Sequence, residues 1–171
     1  MKKKLLFFAT LITMNLTADV GILTKISDGD TVKFGKDICR LANIDTPESN
    51  ENPRLEKILQ KCSTPKNKII EAGKKSANHL SNYLIVGKEY KYTVINDNDG
   101  KGRKVCLINL DNKETVNFKM VEDGYAYPYF YFIPSYMKNK YKDALDNAKE
   151  NKKGLFKTHD DVMNCLKEGV M

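Results

Sequence analysis

Hydrophobic positions along the chain follow two different periods. Residues 20–26 and 31–43 are rich in β-branched and apolar side chains and are broken at Asp28-Gly29 and Gly35-Lys36. That pattern predicts a β-meander with turns at the two breaks. Residues 46–64 are polar, carry Pro47 and Pro53, and read as a loop with room for a short helix. Thr64-Pro65 has the form of an N-cap followed by proline at the first helical position. Beyond it Ile69, Ala72, Ser76, Leu80 and Tyr83 recur at three- and four-residue steps, which predicts an amphipathic helix to about Leu84. Residues 88–95 and 103–110 predict two further strands across the turn-rich 96–102. Residues 116–123 predict a short helix ended by Gly124. Ser135 stands where it can cap a last helix, in which Met137, Tyr141, Leu145 and Ala148 share one face and Gly154 follows the end. Five strands with about three helices, no internal repeat and no second domain imply an α+β fold, a small five-stranded, partly open Greek-key barrel of the OB type.

The first eighteen residues obey another rule. Met1-Lys2-Lys3-Lys4 is basic, residues 5–16 form a mostly apolar run, and Thr17-Ala18 precedes the charged Asp19. The run is short of the ~20 residues that span a bilayer. Residues 1–18 therefore fit an export signal, ahead of a mature domain 19–171 that is secreted or periplasmic and does not insert in a membrane. Left uncleaved, the same segment would act as a tether.

Composition narrows the picture only a little. A length of 171 residues, 41% hydrophobic and 30% charged, suits one domain with one core. The formal charge of +7 falls to +4 once the three lysines of the leader are removed (7 − 3 = 4), an excess that favours a polyanionic partner without naming it. Cys39, Cys62, Cys106 and Cys165 allow two disulfides, in any of three pairings, if the chain is exported; buried free thiols are the other reading. No CxxC or His-rich spacing points to zinc, and His79 and His159 read as packing or surface residues.

The chemistry is written in two short stretches, Ser27-Asp28-Gly29-Asp30-Thr31 and Cys39-Arg40-Leu41-Ala42-Asn43-Ile44-Asp45-Thr46-Pro47-Glu48. They put carboxylates and a guanidinium at turns and strand ends. Carboxylates so placed can gather around a hard divalent cation, and an arginine beside them can grip a phosphate with two parallel hydrogen bonds. Arg103, after Asp99-Gly100-Lys101-Gly102, opens a later strand and offers a second cation. Taken singly, each has a plainer reading, since an Asp-Gly pair is usually just a turn. Together they suit phosphodiester hydrolysis by metal, activated water and two cations.

The order of these pieces resembles the staphylococcal nuclease (thermonuclease) family. The resemblance rests on Asp-Gly-Asp-Thr at 28–31, Arg-Leu-x-x-Ile-Asp-Thr-Pro-Glu at 40–48, Gly102-Arg103 at a strand start, Val-Asn…Met-Val-x-x-Gly-x-Ala from 116 to 126, and Gly-Leu-Phe at 154–156. It implies that Asp30, Asp45 and the carbonyl of Thr46 hold a calcium ion, with Asp28 at the site's edge. Glu48 would serve as general base, and Arg40 and Arg103 would bind the phosphate. The implied substrates are DNA and RNA, cut to leave 3′-phosphate ends by a monomer with no stable protein partner. Tyr127, Tyr129 and Tyr131 are the candidates for contact with a nucleotide base, with Lys101 as a further substrate-binding candidate. In such a barrel Cys39 and Cys106 would lie on neighbouring strands, and Cys62 could then pin the tail through Cys165.

Two function classes compete on this reading. One is an exported nuclease; the other is a catalytically dead copy that only binds nucleic acid or protein. A dead copy is expected to have lost some of Asp30, Arg40, Asp45, Glu48 and Arg103, and all are present.

Overall fold

The structure, a computed structural model, describes residues 18–110 and 114–167. The predicted leader lies outside the described residues except for Ala18. In chain order the elements are β1 (Asp19–Asp28), β2 (Thr31–Phe34), β3 (Asp37–Leu41), β4 (Ile44–Asp45), α1 (Pro53–Lys61), α2 (Lys66–Leu80), β5 (Glu89–Asn96), β6 (Lys104–Ile108), α3 (Val116–Glu122), β7 (Tyr127–Pro128), α4 (Ser135–Glu150), α5 (Leu155–Thr158) and α6 (Asp160–Lys167). Among the described residues, no helix is long and apolar enough to cross a membrane.

Five strands form a barrel in the order β1-β2-β3-β6-β5, as expected of an α+β fold of the OB type, but the barrel is closed where a partly open one was expected. The pairs are antiparallel except β3 with β6, where Arg40 lies opposite Val105 and Leu41 opposite Cys106. Alternation sends Leu23, Val32, Phe34, Cys39, Leu41, Tyr92, Cys106 and Ile108 into the barrel, all of them buried. Phe34 pairs with Asp37, so the β2–β3 hairpin has a two-residue loop, and Gly35 supplies its positive φ of 57°. At the end of β1 the pairing slips between Ile26 and Asp28, an irregularity just before the turn that carries Asp30.

The helices cover that barrel. α2 presents Ile69, Ala72, Ser76 and Leu80 to the core. α3 is tied down by Asn117, wholly buried, whose Nδ2 donates to the carbonyls of Ala42 (3.0 Å) and Cys106 (2.9 Å) while its Oδ1 accepts from the Ile108 amide (3.1 Å). Every polar atom of that side chain is satisfied, which explains an asparagine in the interior. Gly124, at φ 78°, ends α3, and the Leu155 amide donates to its carbonyl at 2.9 Å. Gly154 sits so close that a Cβ there would lie 2.4 Å from the Asp123 carbonyl oxygen. The glycines of Gly-Tyr-Ala and Gly-Leu-Phe are thus two halves of one backbone contact.

Four expectations about the helices need correction. Thr64 does not cap α2; the Pro65 carbonyl takes the Lys68 and Ile69 amides, and no side chain caps the helix. The same helix stops at Leu80, short of Leu84, because Asn82 and Tyr83 bond three residues back and tighten the chain into a turn. Ser135 is the first residue of α4, with Pro134 before it and again no side-chain cap. Beyond Gly154 the chain forms α5 and α6 where only a short tail was expected. Their Leu155, Phe156, Val162, Met163 and Leu166 are buried against the rest of the core.

Two disulfides join Cys39 to Cys106 and Cys62 to Cys165, with Cα atoms 5.7 and 5.9 Å apart. The first staples β3 to β6 inside the barrel. The second ties the end of α1 to α6.

Candidate active site

The DGDT turn, β4 and the segment after it converge at one end of the barrel. Asp28 ends β1, Asp30 lies in the β1–β2 turn, Arg40 is in β3, Asp45 closes β4, and Glu48 follows three residues later. β4 is fixed by antiparallel pairing with β7, Ile44 to Pro128 and Asp45 to Tyr127. Strand alternation sends Arg40, between the inward Cys39 and Leu41, away from the barrel interior. Its Nη1 meets Asp30 Oδ2 at 2.6 Å and its Nη2 meets Asp45 Oδ1 at 2.9 Å. One guanidinium therefore bridges the two aspartates. Burial works against its charge, yet Asp30 and Asp45 outweigh that and hold Arg40 firmly protonated.

Asp30, Asp45, Thr46 and Glu48 are all buried. The Thr31 hydroxyl donates to Asp30 Oδ1 at 2.9 Å. The Asn52 amide donates to Glu48 Oε2 at 2.5 Å. Burial raises the Glu48 carboxyl above its ordinary range, against the opposing pull of Arg54 and Asn52. Asp28 is pushed up to about 7, first by burial and then by the charges of Asp30 and Glu48. The α2 helix backs the cluster closely. A Cβ on Gly73 would stand 2.3 Å from the Glu48 carbonyl carbon, and one on Gly29 2.5 Å from the Ser76 Cβ. Only glycine at 73 lets the helix touch the backbone that carries Glu48.

A residue that the sequence reading did not single out completes the cluster. Arg54, in the first turn of α1, places Nη2 2.5 Å from both carboxylate oxygens of Asp45 and Nη1 2.7 Å from Glu48 Oε1. The available signal was Asn52-Pro53, a cap residue before a proline at the first helical position. Asn52 Oδ1 does accept from the Arg54 and Leu55 amides, at 2.9 Å each.

Arg103 stands apart from this cluster. It follows the β5–β6 turn, where its Nε and Nη2 bind Asp99 Oδ2 at 2.7 and 2.6 Å. Among the described residues, no hydrogen bond or ion pair joins it to Asp30, Asp45 or Glu48. Lys101 lies exposed in the same turn. The tyrosines differ from one another. Tyr127 is buried in β7 with its hydroxyl accepting from Lys149 at 3.1 Å, Tyr129 is half-buried, and Tyr131 is 81% exposed. Tyr129, Tyr131 and Lys167 share with Asp45 the wall of a cleft of about 230 Å³. His79 packs flat on Tyr125, with ring centres 3.8 Å apart, and bonds Asp123 at 2.8 Å, a structural arrangement away from the carboxylates. His159 is buried behind α5.

The donors fit a hard cation in kind and in charge. Four carboxylates, Asp28, Asp30, Asp45 and Glu48, face two guanidiniums, Arg40 and Arg54, which leaves a charge of −2 when all are ionised (2 − 4 = −2). A divalent ion would balance that excess. The Thr46 hydroxyl oxygen is also buried without a partner among the described residues. As folded, however, no three acidic, histidine or cysteine side chains among the described residues are grouped to hold a metal. Both oxygens of Asp45 are taken by guanidiniums.

Endonuclease YhcR of Bacillus subtilis (strain 168) is 26% identical over 151 residues, which cover 84% of this chain. The chain spans only 12% of that relative's length, so it is similar to one part of a much larger protein. The family model described as Staphylococcal nuclease homologue matches residues 38–158, well over half of the chain, from β3 through α5. The chain therefore belongs to the staphylococcal nuclease family.

Proposed function

We propose that this protein is an exported, calcium-dependent nuclease that hydrolyses phosphodiester bonds of DNA and RNA and leaves 3′-phosphate ends. The observation that carries the reading is Arg40 clamped between Asp30 and Asp45, with Glu48 buried in the same cluster. Membership in the family and the named activity of the relative support it.

Asp30, Asp45 and the Thr46 carbonyl would hold the ion. When bound, it offers positive charge to a phosphate oxygen and makes a neighbouring water more acidic. Glu48 takes the proton of the attacking water on a carboxylate oxygen, and burial raises its affinity for protons. Arg40, once its Nη1 and Nη2 turn from Asp30 and Asp45, presents a fork of donors to the phosphate and stabilises the extra negative charge of the five-coordinate state. Arg103 can add a second cation once it leaves Asp99. The P–O bond to the 5′ oxygen breaks, so the upstream fragment keeps the phosphate and the downstream one a free 5′-hydroxyl. Tyr129 and Tyr131, beside Asp45, offer ring faces on which a base can stack.

The test is cleavage of end-labelled single-stranded DNA and RNA by the oxidised chain, with calcium and with a chelator. Cutting of both substrates is expected in calcium, with products that accept a 5′ label directly and resist 3′ extension until dephosphorylated. Activity undiminished by the chelator would dismiss the calcium assignment. Binding of nucleic acid without cutting would favour a recognition module instead.

A further inference from the structure

Arg54 is the residue of the cluster that neither the motifs nor the reaction scheme requires. It reaches the site from α1, a helix anchored at both ends. Asn52 caps its start, and the Cys62–Cys165 disulfide holds its far end to α6. Its guanidinium takes both oxygens of Asp45 and one of Glu48, and its side chain is only 18% exposed. Burial works against its charge as well, but Asp45 and Glu48 overcome that. A cation so placed does what a bound divalent ion would do for Asp45: it neutralises the carboxylate and fills its lone pairs. The two cannot do so at once.

We propose that Arg54 is a positioning residue that competes with the divalent cation for Asp45, so that its release from this carboxylate sets the protein's affinity for the metal. The inference rests on the calcium reading of the cluster. Arg40 cannot play this part, because it takes one oxygen from each of two aspartates and leaves Asp45 Oδ2 free. Among the described residues Arg54 alone covers that oxygen. If Asp45 is free in a fraction f of molecules, the apparent Kd for the metal is the intrinsic value divided by f. Removing Arg54 raises f toward one.

The experiment is calorimetric titration of the full oxidised chain with calcium chloride, without nucleic acid, for wild type, Arg54→Gln, Arg54→Lys and Lys57→Gln. Folding of each is checked by thermal melting. The Gln variant is expected to bind calcium about tenfold more tightly or better, for an f of roughly one in ten. The Lys variant should lie between it and wild type, since an ammonium keeps the charge but cannot cover both oxygens of Asp45 and Glu48 as a fork does. Lys57→Gln, which removes one charge from an exposed position on the same helix, should stay within about twofold, because exposed charges are well screened.

A Gln variant that binds no more tightly than wild type overturns the proposal. So does a Lys variant indistinguishable from wild type, which would reduce the effect to net charge. Should the Gln variant fail to fold, the Arg54 side-chain Nε–H resonance of the wild-type protein decides: it must shift along the calcium titration with the calorimetric midpoint. No calcium binding by wild type at millimolar concentrations would overturn the calcium reading itself, and this inference with it. Tight wild-type binding with an unmoved Arg54 resonance would overturn the inference alone.

Discussion

Arg40→Leu is expected to lower the cleavage rate by about a thousandfold or more and the stability by about 3–5 kcal/mol. The stability loss follows from burial. Asp30 and Asp45 are each only 5% exposed in their side chains; among the described residues Asp30 has its ion pair with Arg40 alone, while Asp45 keeps Arg54. Taking one partner from a buried ion pair leaves the other charge unpaired in a poor solvent, which costs about that much. The loss in rate follows from chemistry, since a fixed donor aimed at developing negative charge is worth about two to three powers of ten. Loss of aspartate placement adds to it. Arg40→Lys separates the two effects, because it keeps the charge yet cannot bridge both aspartates with parallel bonds. It should regain most of the stability and little of the rate. Urea unfolding and initial rates on a single-stranded oligonucleotide measure both quantities. A leucine variant with wild-type stability would show that the bridge contributes nothing to the fold.

Removing the Cys39–Cys106 disulfide, as Cys39→Ala with Cys106→Ala, is expected to lower Tm by roughly 5–20 °C. Its ends are 67 residues apart, and closing so long a loop restricts the unfolded chain strongly. A native disulfide in a small exported domain contributes about 2–5 kcal/mol. For a domain of this size each kcal/mol is worth about 2–4 °C. Both sulfurs are fully buried at the one parallel seam of the barrel, beside Arg40, so smaller side chains also leave a void there. Thermal melts with and without reductant read the effect in the unmodified protein. A melting point that moves by less than about 2 °C in both experiments would remove the staple from the account. Reduction of Cys62–Cys165 should act differently, by loosening α1 and α6 without opening the barrel.

The barrel was legible because its strands carry their own signals. Residues 20–43 alternate and break at glycines, and curling the sheet into a barrel buries Leu23, Val32, Cys39 and Leu41 together. Asp30, Arg40, Asp45 and Glu48 were legible as a group because two short motifs hold them, and the structure brings those motifs to one end of the barrel. Arg54 was not, since its partners depend on how a polar segment folds back over β4, and no periodicity records that. Side-chain choice was hidden too. Arg103 stands where the motif puts it, yet its guanidinium turns to Asp99 in its own turn. Tyr127 shares a run of aromatics with Tyr129 and Tyr131 but is buried by the pairing of β7 with β4, a contact across more than eighty residues. The ends of α2 and α4 were misread for a local reason: a proline carbonyl, not the neighbouring hydroxyl, begins each helix. α5 and α6 were missed because each is short and its apolar face has meaning only against the core and the Cys62 tether.

Glu48 as the proton acceptor is tested by the initial rate of calcium-dependent cleavage of single-stranded DNA by wild type and Glu48→Gln. Glutamine keeps the shape of the side chain and its contact with Asn52 but cannot accept a proton from water. The variant's kcat should be lower by about a hundredfold to ten-thousandfold, with KM little changed, as expected when a general base is lost. A Glu48→Gln protein that cuts within a few-fold of wild type would contradict that role, and would place the chemistry outside this cluster.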